Sequence, residues 1–230
     1  MPGYAATDLF SVGAEASPQT STTAETRERS LTLAANGDKA CESSAYNVTT
    51  EYTADYESCS TGSIVATLGT LLSTFGAVAS SKLVTGIEIT LSNKAYPSFS
   101  ITGHNHAVNA HTSGERTFDA SAAIPAQIGT GITMPMLATT KQISIATSTV
   151  TGATFSVTLE HMDTEGADGD HFDGENRTCR VEASISGIGN EGDVTWAADW
   201  IVDDNSDTDS NQESDTFTTS AHMYIDAIAP

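Results

Sequence analysis

Alternation of apolar and polar residues in short segments is the feature that most restricts how this chain can fold. Residues 153–161 (ATFSVTLEH) and 178–186 (TCRVEASIS) alternate with period two, which places their apolar side chains on one face of a β-strand. Residues 84–91 (VTGIEITL) and 98–102 (SFSIT) also alternate, and the turn Ser92-Asn93-Lys94 lies between them. That arrangement predicts a hairpin.

Further segments complete a mainly β prediction with one helix. Apolar residues recur every three or four positions between Ile64 and Val78, which predicts an amphipathic helix over about residues 63–79. With roughly ten to twelve short strands, the chain is expected to form an antiparallel β-sandwich or barrel with one flanking α-helix and long loops. The other candidate strands are Leu31–Ala35, Tyr46–Thr53, Arg116–Ala120, Gly131–Leu137, Gln142–Ala146, Val194–Val202 and Thr216–Ala227.

The pattern divides the chain into an arm and one domain. Residues 1–30 are polar and weakly patterned, so we expect an extended N-terminal arm that is ordered by contacts with something else. Residues 31–230 are expected to form a single β-sandwich domain, a size that one large β domain can have. Within it, residues 162–176 (MDTEGADGDHFDGEN) are expected to form a long acidic hairpin loop.

Charge is distributed unevenly along the chain. The formal net charge is -21, from 30 acidic and 9 basic residues, yet residues 61–160 carry four of each. Residues 161–230 carry 17 acids and two bases. Phosphate binding requires Lys and Arg, so the sequence predicts no specific nucleic-acid binding. There is neither a secretory signal at the N-terminus nor a long apolar run, so we expect synthesis in a cytoplasm and no membrane association.

Three histidines form the first candidate site. His104 and His106 are two residues apart, so on a strand both imidazoles would lie on one face, and His111 could return through a turn to complete a metal site. No Cys or carboxylate lies at a natural fourth position nearby in sequence. The alternative is a polar strand end or loop, and in an oligomer these histidines could also meet across a symmetry axis.

Acidic segments form two further candidates, for which calcium is the cofactor to consider. The first contains Asp168, Asp170 and Asp173, and the second contains Asp203, Asn205, Asp207 and Asp209. Neither fits the helix-loop-helix calcium template, which requires a fixed ligand spacing and a central glycine. We therefore expect exposed acidic loops and no cofactor. The acids of these loops are Asp163, Glu165, Asp168, Asp170, Asp173, Glu175, Asp203, Asp204, Asp207 and Asp209.

Catalytic motifs are not found in the sequence. It lacks a nucleophile elbow, a phosphate-binding loop, a dinucleotide fingerprint and the HExxH zinc motif. Trp196 and Trp200 could stack on a sugar, but a Trp on a strand is more often part of a core or an interface. We therefore expect a protein that is not an enzyme.

The general pattern resembles structural proteins of tailed-bacteriophage virions, and most of all major tail tube proteins. The similar features are the polar arm, the helix followed by the VTGIEITLSNKAYPSFSIT hairpin, the long hairpin over residues 153–186, and the closing segment SNQESDTFTTSAHMYIDA. The resemblance implies a β-sandwich with a flanking helix and no catalytic residues. It also implies subunits that join into sixfold rings, with long loops and arms that contact the next ring.

The charge distribution is consistent with that resemblance. An acidic lumen would repel phosphate, so DNA could slide through the tube without salt bridges. The expected partners are other copies of the chain, in hexameric rings or another homo-oligomer, and other virion proteins. The expected location is the virion, assembled in the host cytoplasm. Two alternatives are a capsid decoration or head-associated protein, which would form threefold clusters, and a calcium-dependent adhesion or carbohydrate-binding β module.

Overall fold

A computed structural model describes most of the chain, in segments separated by gaps. The described residues are 6–13, 16–43, 45–58, 66–92, 95–111, 116–121, 123–124, 143–145, 149–189, 194–208 and 215–228. Their elements in chain order are β1 (Ala16–Glu28), β2 (Leu31–Leu33), β3 (Lys39–Glu42), β4 (Tyr46–Ser58), α1 (Ala66–Ser73), β5 (Val78–Ala79), β6 (Lys82–Ser92), β7 (Ser98–His106), β8 (Ile143–Ile145), β9 (Thr149–Glu165), β10 (His171–Ile188), β11 (Val194–Trp196), β12 (Ile201–Thr208) and β13 (Thr216–Ile225).

One large antiparallel sheet dominates the fold. Its strand order is β1-β4-β7-β6-β9-β10-β13-β12, and β5 pairs with β6 outside this order. Two small sheets pair β2 with β3 and β8 with β11. The fold is therefore mainly β and antiparallel with one short helix among the described residues, which confirms the predicted class.

The core lies where the alternating strands turn their apolar side chains inward. Phe155 and Val157 of β9 and Val181 of β10 are at most 1% exposed. Leu68 and Leu72 of α1 are fully buried against this core. After the helix, residues 75 and 118 form an isolated antiparallel bridge, which ties the helix end to a second segment. The alternation therefore identified the buried face of the sheet correctly.

Several elements differ in length from the sequence-based prediction. The helix covers only Ala66–Ser73 of the described residues, because Gly76 has a φ of 89° that ends helical geometry. The segment Val194–Val202 is divided into β11 and β12 by a turn in which Trp200 N donates to Ala197 O. Arg116–Ala120 contributes a bridge at residue 118 but no strand. Gly131–Leu137 lies outside the described residues.

The segment predicted as an extended N-terminal arm over residues 1–30 contains strand β1, which is ordered by pairing with the large sheet. Strand β1 pairs with β4 from Ala16 to Glu28, and Phe10 and Val12 are 2% exposed within the core. The residues that do protrude are those of the β2–β3 hairpin, here called the arm hairpin, whose strand residues are all exposed. The exposed polar segment is therefore the arm hairpin, which follows residues 1–30 in the sequence.

Residues 162–176 do not form a long loop. Strands β9 and β10 remain paired through most of this segment, and Gly166 N donates to Asp170 O across a short turn. This part of the hairpin extends beyond the pairing of β9 with β6, which ends at Thr158. Its sequence is therefore polar, and a polar segment resembles a loop. The hairpin tip instead contacts the start of β4, where Asn47 N donates to Asp170 Oδ1 at 2.9 Å.

Candidate functional site

The outward face of the large sheet carries Ser, Thr and acidic side chains in registered rows. Antiparallel register aligns one residue from each neighbouring strand, so a row crosses the sheet perpendicular to the strands. Two adjacent rows contain five acids and neither Lys nor Arg. The first row is Asp55, Ser100, Glu88, Ser156, Glu182 and His222, and the second is Glu57, Ser98, Thr90, Thr154, Ser184, Ser220 and Asp204.

The neighbouring row contributes one arginine, Arg180, which neutralises only one of the five acids of the two rows. Arg180 pairs with Tyr224 and with Thr158 of the adjacent strands. Its Nη2 atom lies 2.8 Å from Glu182 Oε1, so its charge is already matched by one acid of the first row. The outward face is therefore a hydrated, electronegative surface that spans seven strands.

A second constellation gathers five histidines around one carboxylate. His104 and His106 come from β7, His111 follows that strand, His161 and Asp163 come from β9, and His171 begins β10. The rings of His104, His106, His161 and His171 each lie within 5.1 Å of at least one other histidine ring, counted between centroids. This group, here called the histidine cluster, contains five of the six histidines of the chain.

Asp163 lies at the centre of the histidine cluster. Its Oδ1 atom is 2.9 Å from His161 Nε2 and 3.2 Å from Nε2 of both His106 and His171. The Nε2 atoms of His106 and His171 are buried, and in spite of this short distance neither forms a hydrogen bond of acceptable geometry with another described residue. Buried polar atoms normally have partners, so these nitrogens mark a position where a ligand would fit.

The outer side of the cluster is held by hydrogen bonds to ring Nδ1 atoms. His171 Nδ1 lies 2.7 Å from the carbonyl oxygen of Asn109, and His106 Nδ1 lies 3.0 Å from Thr49 Oγ1. Asn109 Nδ2 in turn donates to His171 O at 2.8 Å. Ligating histidines in proteins are oriented in this way, through the ring nitrogen that does not bind the metal.

Asn176 fixes the orientation of His161. Its Nδ2 group donates to the carbonyl oxygens of Gly76 and Arg116, at 3.0 and 2.7 Å. The amide oxygen therefore faces His161, whose Nδ1 lies 2.7 Å away and must donate the hydrogen. On its other side, His161 Nε2 lies at a hydrogen-bond distance of 2.9 Å from Asp163 Oδ1, which as a carboxylate can only accept.

The electrostatics of the cluster favour an ionised Asp163 and neutral rings at His104 and His171. Burial, with a smaller contribution from the neighbouring His111, lowers the pKa of His104 to about 4. Burial also lowers the pKa of His171, with a further contribution from His106. Burial raises the pKa of Asp163, but its polar contacts with His106 and His161 outweigh this and hold it well below the ordinary range. Neutral imidazole and ionised carboxylate are the ligand forms that metals bind.

Two overlapping sets of four side chains place their ligand atoms within 4.8 Å of one another. One set is His104, His111, His161 and Asp163, and the other is His106, His111, Asp163 and His171. The nitrogen-rich composition suits zinc and similar transition metals better than calcium or magnesium, which prefer oxygen ligands. The sequence identified His104, His106 and His111, but it missed the rest, although the pair His161-x-Asp163 has the same two-residue spacing as His104-x-His106.

The acidic loop candidates are used within the protein. The carboxylates of Asp168, Asp170 and Asp173 accept backbone hydrogen bonds from residues 170, 47 and 174. Glu165 accepts from the Asn47 side chain, and Glu175 lies 3.8 Å from Arg116. No group of three of these acids converges within the described residues. Asp163 is exposed, as expected, with 36% of its side chain accessible, but it lies on strand β9, where it contacts the histidine cluster.

The second acidic segment forms the exposed edge strand β12. Asp203 contacts His222 Nδ1 at 2.8 Å, and Asn205 accepts a hydrogen bond from Thr219. Asp204 belongs to the outward rows, and Asp207 pairs with Phe217 in the β12–β13 register. Asp209 lies outside the described residues. On this extended strand Asn205 and Asp207 share one face and Asp204 lies on the other, so the residues do not surround a calcium-binding turn.

No protein-family model matches the chain, and no curated protein sequence matches it. Within the described segments, none of the helical structure has the length and apolar character that crossing a membrane requires. Function must therefore be inferred from the sheet face and the histidine cluster.

Proposed function

We propose that this protein is a non-enzymatic structural subunit of a phage virion, and that it assembles into a tail tube. The outward face of the sheet is the observation that carries the proposal. In the tube it lines the lumen, where its Ser, Thr and acidic side chains hold water and repel DNA phosphates. The lumen surface is thus assigned to the sheet rows and not to the acidic loop residues.

The open sheet supports self-assembly. Strands β1 and β12 are the two ends of the strand order, and each has one side without a partner strand among the described residues. Unpaired edges of this length are templates for pairing with another chain. In the proposed ring, the edges of neighbouring subunits meet and continue the sheet around the lumen.

The arm hairpin supplies a second contact. Leu31 and Leu33 are 56% and 57% exposed at its surface, and its turn is closed by Gly37 N donating to Ala34 O. Exposed leucines on a protruding hairpin are costly in a monomer and favourable in an interface. We assign them to the contact between successive rings.

Electron microscopy tests the assembly directly. Tag-free protein at high concentration and moderate salt is expected to form stacked rings or hollow tubes with sixfold averages. The variant Leu31→Lys with Leu33→Lys is expected to form at most single rings, because charged side chains would prevent stacking. Threefold clusters of the wild type would favour the capsid decoration alternative, and a dispersed monomer would contradict self-assembly.

A charge-reversal experiment tests the role of the sheet face. Glu88→Lys combined with Glu182→Lys is expected to raise affinity for double-stranded DNA at low salt by at least about tenfold, with a steep salt dependence. The control is Glu25→Lys with Glu42→Lys, which changes the net charge equally near the arm hairpin. Filter binding at several salt concentrations measures the DNA affinity of both double variants. Equal DNA affinity of the two double variants would contradict a lumen function for this face.

A further inference from the structure

We propose that the histidine cluster is a metal site in which His106, His111, His171 and Asp163 bind one divalent transition-metal ion, with zinc the best fit. The inference is independent of the assembly proposed above, because it concerns the interior of one subunit. It depends on three features of the described residues: the tautomer of His171, the ligand spacing, and the burial of the site.

The tautomer of His171 leaves two electron-rich atoms facing each other. A carbonyl oxygen only accepts hydrogen bonds, so Nδ1 of His171 must carry the hydrogen that it donates to Asn109 O. In the neutral ring, Nε2 then has a lone pair, and it lies 3.2 Å from the Asp163 carboxylate oxygen. Two acceptors at this distance repel each other unless a cation lies between them.

Two donor-atom distances match those around a tetrahedral ion, and the parallel rings of His106 and His171, 4.0 Å apart between centroids, would tilt on binding to direct both lone pairs at it. Bonds of about 2.0 Å to nitrogen and oxygen place neighbouring ligand atoms about 3.3 Å apart around zinc. Nε2 of His106 and Nε2 of His171 each lie 3.2 Å from Asp163 Oδ1. His111 contributes the fourth ligand, with its ring centroid 5.1 Å from that of His106 and 5.0 Å from that of His171.

The overlapping set contains one less buried ligand, His104, while its His161 is 5% exposed. The side chains of His106 and His171 are each 4% exposed, whereas that of His104 is 17% exposed and its Nε2 lies 3.8 Å from Asp163 Oδ2. Asp163 and His111 belong to both sets, so a second ion would have only His104 and His161 of its own. We therefore assign one ion per chain.

The ion would connect two parts of the chain that are distant in sequence. Its ligands come from β7, from the segment after β7, and from both strands of the β9–β10 hairpin. The tip of that hairpin contacts Asn47, whose Nδ2 donates to Glu165 and to Glu28 at 2.8 and 2.9 Å. Metal binding would thus stiffen the hairpin and the base from which the arm hairpin extends.

The first experiment uses the tag-free wild-type chain, stripped with a chelator and titrated with Zn²⁺ or Co²⁺. We expect one equivalent per chain, visible absorption of tetrahedral Co²⁺, and a rise in Tm of at least about 5 °C at a hundredfold excess of Zn²⁺ over Kd. Ca²⁺ at the same concentration is expected to leave Tm unchanged. The spectrum of octahedral Co²⁺, or no binding, would overturn the proposal without any variant.

Four variants test the assignment of ligands. His106→Gln and His171→Gln are each expected to weaken Zn²⁺ binding at least about 100-fold, and His104→Gln less than about tenfold. The matched control is His222→Gln, the one histidine outside the cluster, which should bind like wild type. Circular dichroism of the metal-free variants checks folding. Retained binding in His106→Gln with loss in His104→Gln would overturn the assigned set, and loss in His222→Gln would overturn the site.

Discussion

Asn176→Ala is expected to lower the free energy of unfolding by about 3–5 kcal/mol, one of the largest effects of any single substitution in this protein. The Asn176 side chain is fully buried, and it makes hydrogen bonds to Gly76 O, Arg116 O and His161 Nδ1. Alanine would leave three polar atoms without a partner in a site closed to water. Denaturant unfolding in the presence of a chelator measures the change apart from any effect of metal.

A control asparagine separates burial from residue type. Asn36 lies exposed in the turn of the arm hairpin and bonds only to Asp38. Asn36→Ala is expected to cost less than about 1 kcal/mol, because water replaces the lost partners. The contacts of Asn176 indicate a buried link between the helix end and β10. Similar losses of unfolding free energy in Asn176→Ala and Asn36→Ala would contradict that role.

Phe155→Ala is expected to lower the free energy of unfolding by about 3–5 kcal/mol, through lost burial and the cavity that it leaves. Phe155 is fully buried in the centre of β9, between β6 and β10. Phe172, one residue into β10, is 68% exposed, so Phe172→Ala is expected to change stability by less than about 0.5 kcal/mol. Thermal and denaturant unfolding of the two variants compare the same substitution at two depths.

A small effect of Phe155→Ala would contradict the predicted inward face of β9. That face was inferred from period-two alternation, so the pair of phenylalanine variants also tests the sequence-based argument. A large effect of Phe172→Ala, by contrast, would indicate that its exposed ring is covered by another subunit in solution. The oligomeric state of each variant should therefore be measured with its stability.

Much of the fold could be predicted from local patterns. Alternation in residues 153–161 and 178–186 identified the two central strands and their pairing, because a half-buried strand needs an apolar residue at every second position. The extent of β1 could not be predicted locally, since it depends on pairing with β4.

The histidine cluster was only partly predictable. The two-residue spacing of His104 and His106 was visible, but their partners on β9 and β10 lie more than fifty residues away in sequence. The acidic residues around Asp163 suggested a solvated loop, because nothing local distinguishes a carboxylate that faces histidines from one that faces water. The sequence likewise showed that the negative charge is concentrated in residues 161–230, but not which of these side chains share a surface.

The sequence by itself determined that this chain is a mainly β protein with alternating strands, one short helix and a large negative charge. Those properties follow from residue type and spacing along the chain. Only the tertiary structure decided that Glu88 and Glu182 lie in one row, and that His106, His171 and Asp163 meet. The physical reason is that strand register and hairpin twist, which are set by pairing between distant segments, determine which side chains become neighbours.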